Sequence, residues 1–132
     1  MTIYAIDFDG TCVDHRYPDV GPSLPSAVAV LSRMASDGHR LILWTMRSGK
    51  ELDDAVEWFR ANGIPLYGIQ RNPDQDTWTA SPKAYAQVYI DDAALGAPLM
   101  QLAWMKRPGV DWELAALMLS QPQLSARIER AT

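Results

Sequence analysis

The sequence predicts a single α/β domain built on a mostly parallel sheet. Three observations predict it. Short apolar runs at residues 3–6, 41–44 and 88–90 end abruptly in polar or acidic residues, as strands buried on both faces do. Between them lie stretches whose apolar residues recur at helical spacing. Glycines and prolines mark the boundaries. Strands alternating with helices in this way give a parallel sheet with right-handed crossovers.

The elements follow in chain order. Residues 2–8 form the first strand, with Ile3, Tyr4, Ala5 and Ile6 as its apolar run. Residues 12–25 hold three prolines and a glycine, so they form a loop or short flap rather than a helix. Residues 25–37 read as the first helix, with Ser23 as a candidate cap. Leu24, Val28, Leu31 and Ala35 make its stripe, and Gly38 ends it. Residues 40–45 are the second strand and 46–49 a turn. Residues 50–62 are the second helix, buried through Leu52, Ala55, Val56 and Phe59 and stopped by Gly63 and Pro65.

Residues 66–69 make a short third strand. Residues 70–82 are polar and loop-like, and Ser81 before Pro82 reads as a cap opening one helical turn that carries Lys83. Residues 87–91 are the fourth strand. A loop around Gly96 leads to a short fifth strand at 99–104, and residues 106–109 turn. Asp111 then caps a last helix from Trp112 to about Ser120. Residues 121–132 form a tail that frays or adds a further helical turn.

Composition narrows the class. A chain of 132 residues is one domain that buries a single core without staples. Hydrophobic content of 48% and charged content of 21% are those of a soluble globular protein. The only cysteine, Cys12, allows no intramolecular disulfide, and nothing points to an oxidising compartment. The start of the chain is strand and acidic motif rather than a secretion signal, and no apolar run reaches membrane-spanning length. The expectation is a cytoplasmic protein that does not contact membranes. A net charge of −4 argues against a general nucleic-acid surface and leaves room for a local basic patch.

Chemistry concentrates where the strands end. Asp7 and Asp9 stand one residue apart after the first strand, followed by Gly10 and Thr11. An Asp-Gly pair alone reads as a solvated turn. Two carboxylates closing a buried strand are costly without a partner, yet such strand ends are where open α/β sheets bind ligands. Thr45 ends the second strand, and Asp91 and Asp92 end the fourth.

The stretch Asp7-Phe8-Asp9-Gly10-Thr11 resembles the first motif of the haloacid-dehalogenase-like (HAD) hydrolases. Leu41-Ile42-Leu43-Trp44-Thr45 resembles the second, Lys83 the third, and Val88-Tyr89-Ile90-Asp91-Asp92 the fourth. The resemblance covers roughly residues 2–95 and follows the order of the family's motifs. It implies a three-layer Rossmann-like core with a five-stranded sheet and helices on both faces. The first strand is central, the second and third lie on one side, and the fourth and fifth on the other. It also implies a short flap at 12–25 instead of a cap domain, placing Asp14, His15, Arg16 and Tyr17 over the site.

These residues permit phosphoryl transfer. A carboxylate at Asp7 is a competent covalent nucleophile, forming an aspartyl-phosphate. Clustered anions need a hard cation, and Mg²⁺ is the natural choice. Asp7, the Asp9 carbonyl and Asp91 supply candidate ligands, with Asp92 either a more distant contact or the direct ligand. Asp9 can act as general acid and then general base. By resemblance, this second Asp separates phosphatase-type members from the dehalogenases.

The Thr45 hydroxyl and the neighbouring backbone N–H, at Met46, can hold a phosphate oxygen, and the head of the following helix adds a favourable dipole. Lys83 would neutralise Asp7 and the phosphoryl group, with Arg71 or Arg47 as substitutes. Gly10, Thr11, Arg16, Arg47 and Arg71 complete the expected phosphate-binding set. The expected activity is Mg²⁺-dependent hydrolysis of a phosphomonoester. The alternatives are a polynucleotide end-phosphatase and a phosphate-binding or regulatory module without turnover. An open site suits a bulky substrate, such as a nucleic-acid end, or a small phosphate ester enclosed by a second copy in a homodimer.

Overall fold

The structure is a computed structural model and describes residues 1–121. The expected tail lies outside the described residues from 122 onward. Strand β1 (Ile3–Ile6) sits at the centre of a four-stranded sheet, between β2 (Arg40–Leu43) and β4 (Val88–Ile90). Strand β3 (Gly68–Ile69) adds beyond β2, giving the order β3-β2-β1-β4. Every pairing in this sheet is parallel. All four residues of β1 are buried, as the continuous apolar run requires.

Three helices, α1 (Ala27–Ser36), α2 (Gly49–Ala61) and α3 (Trp112–Leu119), contribute to one core. Tyr4, Ile6, Leu41 and Leu43 meet Leu31 of α1, Phe59 of α2 and Trp112 of α3 there. The opposite face carries Ile3, Ala5 and Ile42, which pack with Ala84 and Ala86 from an irregular segment. Helices on both faces are therefore not found among the described residues. The second face is covered by the stretch between β3 and β4, whose helical content is a 3₁₀ turn at Gln75–Thr77.

Three further expectations need correction. Strand β5 (Leu99–Met100) does not extend the sheet. It pairs antiparallel with β6 (Gly109–Val110) in a separate two-stranded ribbon. Its backbone groups are taken up by β6, where Leu99 lies opposite Val110 and Met100 opposite Gly109, rather than by the outer edge of β4. Ser23 does not cap α1, whose first turn follows Ser26; the Ser23 hydroxyl instead accepts the indole N–H of Trp58 at 3.1 Å. Ser81 opens no helix. Its hydroxyl accepts the Lys83 N–H at 3.2 Å, but the chain runs on without a turn. By contrast Asp111 caps α3 as expected, accepting the Leu114 N–H. Among the described residues no helix is long and apolar enough to cross a membrane.

Candidate active site

The sheet register brings the acids together. The Asp7 N–H donates to the Ile90 carbonyl at 3.0 Å, so the β1–β4 pairing runs to the last residue before the acids of each strand. Asp7, Asp91 and Asp92 each offer a carboxylate oxygen, and these oxygens lie within 4.8 Å of one another. The Thr11 hydroxyl ties the two motifs. It donates to Asp7 Oδ2 at 2.9 Å and accepts the Asp92 N–H at 3.1 Å. The loop between is tight because Gly10 adopts φ +81°, and a Cβ there would run into the Asp92 carboxylate. Trp112 of α3 braces the same loop by donating its indole N–H to the Thr11 carbonyl at 2.6 Å.

Burial pushes the Asp7 carboxyl up to about 8, and the Asp91 charge adds to the rise, while the Thr11 hydroxyl opposes it. Asp92 is raised as well, first by burial. Three acids crowded in this way fit a hard divalent cation, which takes oxygen ligands and relieves their repulsion. A testable consequence follows for the protein without metal. A carboxyl raised in the folded state holds its proton there at pH values where the unfolded chain, with Asp near 4, has lost it. The Asp7 contribution to stability is therefore fully present below about pH 4 and is lost as pH rises toward 8. Thermal melts of chelator-treated protein should show the melting temperature dropping across this window. Mg²⁺ should raise it more at pH 8 than at pH 5.

Asp9 points elsewhere. Its two oxygens accept Arg47 Nε and Nη2, each at 2.8 Å. The remaining Arg47 donors go to the Glu51, Pro18 and Asp19 carbonyls at 3.1, 3.2 and 2.7 Å. All five guanidinium N–H groups are thus engaged within the chain, and the side chain is 1% exposed. The guanidinium also lies over the rings of Phe8 and Tyr17. Arg47 consequently holds Asp9 and the flap together and has no donor left for a phosphate.

A cleft of about 520 Å³ opens above the acids, and Asp7, Asp9, Thr45, Met46, Asp91 and Asp92 line it. Gln70 pins the turn after β2. It accepts the Thr45 N–H at 2.8 Å and donates to the Thr45 carbonyl at 2.6 Å. The Thr45 hydroxyl accepts the Arg47 N–H at 3.2 Å and keeps its own proton for a ligand. His15 and Tyr17 of the flap reach the cleft, as the flap reading expects.

Several expected residues do not reach it. The Gly10 and Thr11 N–H groups are used inside their own loop, on Val13 and Phe8 carbonyls. Arg16 pairs with Asp14 at 2.9 Å, and Arg71 pairs with Asp76 at 2.8 Å. Lys83 is exposed, with its ammonium 5.2 Å from the Tyr89 ring centroid. The cause is Gln75, whose buried side chain donates to the Ser81 and Lys83 carbonyls and accepts the Tyr85 N–H. That template fixes the segment away from the cleft. In turn, Arg107 lines the cleft without having been singled out by sequence. Its signal was the basic Lys106-Arg107-Pro108-Gly109 turn, which follows the fourth strand in chain order.

Comparison with known proteins adds one relationship. No family description and no curated protein matches this chain. A solved structure does, that of a conserved protein coded by a locus from Bacteroides thetaiotaomicron, at 36% sequence identity and a TM-score of 0.76. The match covers 96% of each chain. The two proteins belong to one family. The two proteins thus share the α/β arrangement over nearly their full length. The description of the solved protein names no activity, so the chemistry rests on the cleft.

Proposed function

We propose that the protein is a Mg²⁺-dependent phosphomonoesterase of the HAD-like type, working through an aspartyl-phosphate on Asp7. The observation that carries this reading is the three-carboxylate cluster of Asp7, Asp91 and Asp92 at the ends of adjacent parallel strands. A parallel Rossmann-like sheet with β1 inside and β4 beside it agrees with the HAD arrangement. Asp7, Asp91 and Asp92 would hold the cation, which supplies the positive charge that keeps them ionised and offsets the phosphoryl oxygens.

The chain's own residues provide the steps. The Asp7 carboxylate, its rotamer set by Thr11, attacks phosphorus. The Asp7 O–P bond forms as the ester P–O bond breaks, and the leaving oxygen takes a proton from Asp9. Water then attacks phosphorus and gives a proton to Asp9. The Asp7 O–P bond breaks, which releases phosphate and restores both acids. Each Asp9 oxygen keeps a second lone pair beyond the one facing Arg47, so the clamp fixes the proton carrier without blocking it. The Thr45 hydroxyl, which lines the cleft, would donate to a phosphoryl oxygen.

The test is hydrolysis of a panel of phosphomonoesters with and without Mg²⁺. The panel spans an aryl phosphate, nucleotides, sugar phosphates and 3′- and 5′-phosphorylated oligonucleotides. Release of phosphate that requires the metal is expected. No turnover on any of them would leave a binding module and overturn the reading. A nucleic-acid substrate would show activity that weakens with salt, whereas a small phosphate ester would not.

A further inference from the structure

Four carboxylates and two guanidinium groups, those of Arg47 and Arg107, line the cleft. Arg47 has every donor committed within the chain. A phosphoryl group entering beside so many acids needs positive charge that is still available. Among the described residues, Arg107 is the one lining lysine or arginine whose side chain makes no hydrogen bond or ion pair.

Arg107 is also held in place, by machinery that the proposed reaction does not use. Asp14 is a carboxylate with 1% exposure, outside the acid cluster. Both of its oxygens accept the Lys106 N–H at 3.1 Å, and one accepts Arg16 Nε at 2.9 Å. Arg16 passes the restraint on by donating Nη2 to the Trp104 carbonyl at 3.0 Å. Between these two anchors Met105 is buried. On the other side of Arg107, the Val110 N–H donates to the Gly10 carbonyl at 3.0 Å. The residues before and after Arg107 are therefore pinned, one to the flap and one to the loop that follows Asp9. Burying a carboxylate is costly unless it is fully paired. Here the pairing serves to fix a backbone turn that ends in an uncommitted cation.

We propose that Arg107 is the anchor for the substrate's phosphoryl oxygens, and that Asp14 is its positioning residue. The proposal rests on the phosphatase reading for its substrate class and assigns to Arg107 the cationic role that sequence gave to Lys83. A guanidinium suits the task because its fork can meet two phosphoryl oxygens at once.

The experiment uses the full chain with Mg²⁺ and two readouts. One is orthophosphate binding by calorimetry, which needs no turnover. The other is the KM and kcat of aryl phosphate hydrolysis. Arg107→Met should weaken phosphate binding and raise KM by about ten- to a hundredfold, the loss of charge-assisted hydrogen bonds. Arg107→Lys should recover part of this, and Mg²⁺ affinity should stay as in the wild type. Asp14→Ala should raise KM with little change in kcat. Asp14→Asn, which keeps an acceptor for the Lys106 N–H, should lie nearer the wild type. Equal phosphate affinity in wild type and Arg107→Met overturns the proposal, as does turnover with an unchanged KM. Phosphate binding that depends on Arg107 without any hydrolysis upholds the anchor and overturns the phosphatase reading instead. Arg107 is exposed, so its variants fold whatever becomes of those at Asp14.

Discussion

Asp7→Asn is expected to cut phosphomonoester turnover by about 10⁴-fold or more and, at the same time, to make the metal-free protein more stable. The first effect follows from removing the nucleophile. An amide of the same shape cannot form the acyl phosphate. The second follows from the cost of the native charge. Burial and the Asp91 carboxylate push the Asp7 carboxyl up to about 8, so at pH 8 about half of the folded molecules carry an anion in a place that resists it, and the rest hold a proton that the unfolded chain has lost. Asparagine removes the charge and keeps an oxygen to accept the Thr11 hydroxyl. The melting temperature of chelator-treated protein at pH 8 should rise by about 4 °C or more. Mg²⁺ should then add less to the variant than to the wild type, because one of three carboxylates near the cation is gone. Turnover that survives Asp7→Asn would remove Asp7 as nucleophile. A fall in metal-free stability would mean that the carboxylate is held by contacts stronger than its repulsion.

Much of this architecture was legible in the sequence because the signals were local. The apolar runs of β1, β2 and β4 ended where the strands end, and their acids share one edge because parallel register puts strand termini together. Sequence grouped Asp7, Asp9, Asp91 and Asp92 at that edge once the family resemblance set the first and fourth strands side by side; in the structure Asp9 turns instead to Arg47. The failures came where tertiary hydrogen bonds outvoted local chemistry. Ser81-Pro82 carries a helix-start signal, but the Gln75 side chain holds the 81–85 backbone in an irregular path and carries Lys83 off. Residues 99–104 read as a strand by apolar content, but their partner is the ribbon strand β6 rather than the sheet. Arg47 looked like a phosphate ligand because it sits at a strand end. Only the structure reveals how many carbonyls converge on it. Arg107 lay in a turn whose placement depends on Asp14, 92 residues earlier for the Lys106 contact, and no periodicity signals such a pairing.

The Arg47 site gives the largest expected loss of stability. Arg47→Met leaves the Asp9 carboxylate, 12% exposed, without its bidentate partner, and leaves the Pro18 and Asp19 carbonyls without donors. Breaking a buried ion pair from one side costs about 3–5 kcal/mol, which for a chain of this size lowers the melting temperature by about 10 °C or more. Arg47→Lys should rescue little, since an ammonium offers three donors from one point and cannot fork across both Asp9 oxygens. Turnover should fall in both variants, because the proton carrier loses its fixed orientation. The double variant Arg47→Met with Asp9→Asn separates two contributions. Removing the stranded charge should make it more stable than Arg47→Met alone, while it stays inactive for want of Asp9. Thermal melts and limited proteolysis of the flap read the two effects apart. If the double variant melts as low as the single one, the flap carbonyls rather than Asp9 are what Arg47 chiefly supports. Cleavage within residues 15–20 should then be equally fast in both. If the double variant recovers stability but is still cut quickly in the flap, the guanidinium does both jobs. Flap order and the orientation of the general acid would then be set by one buried side chain.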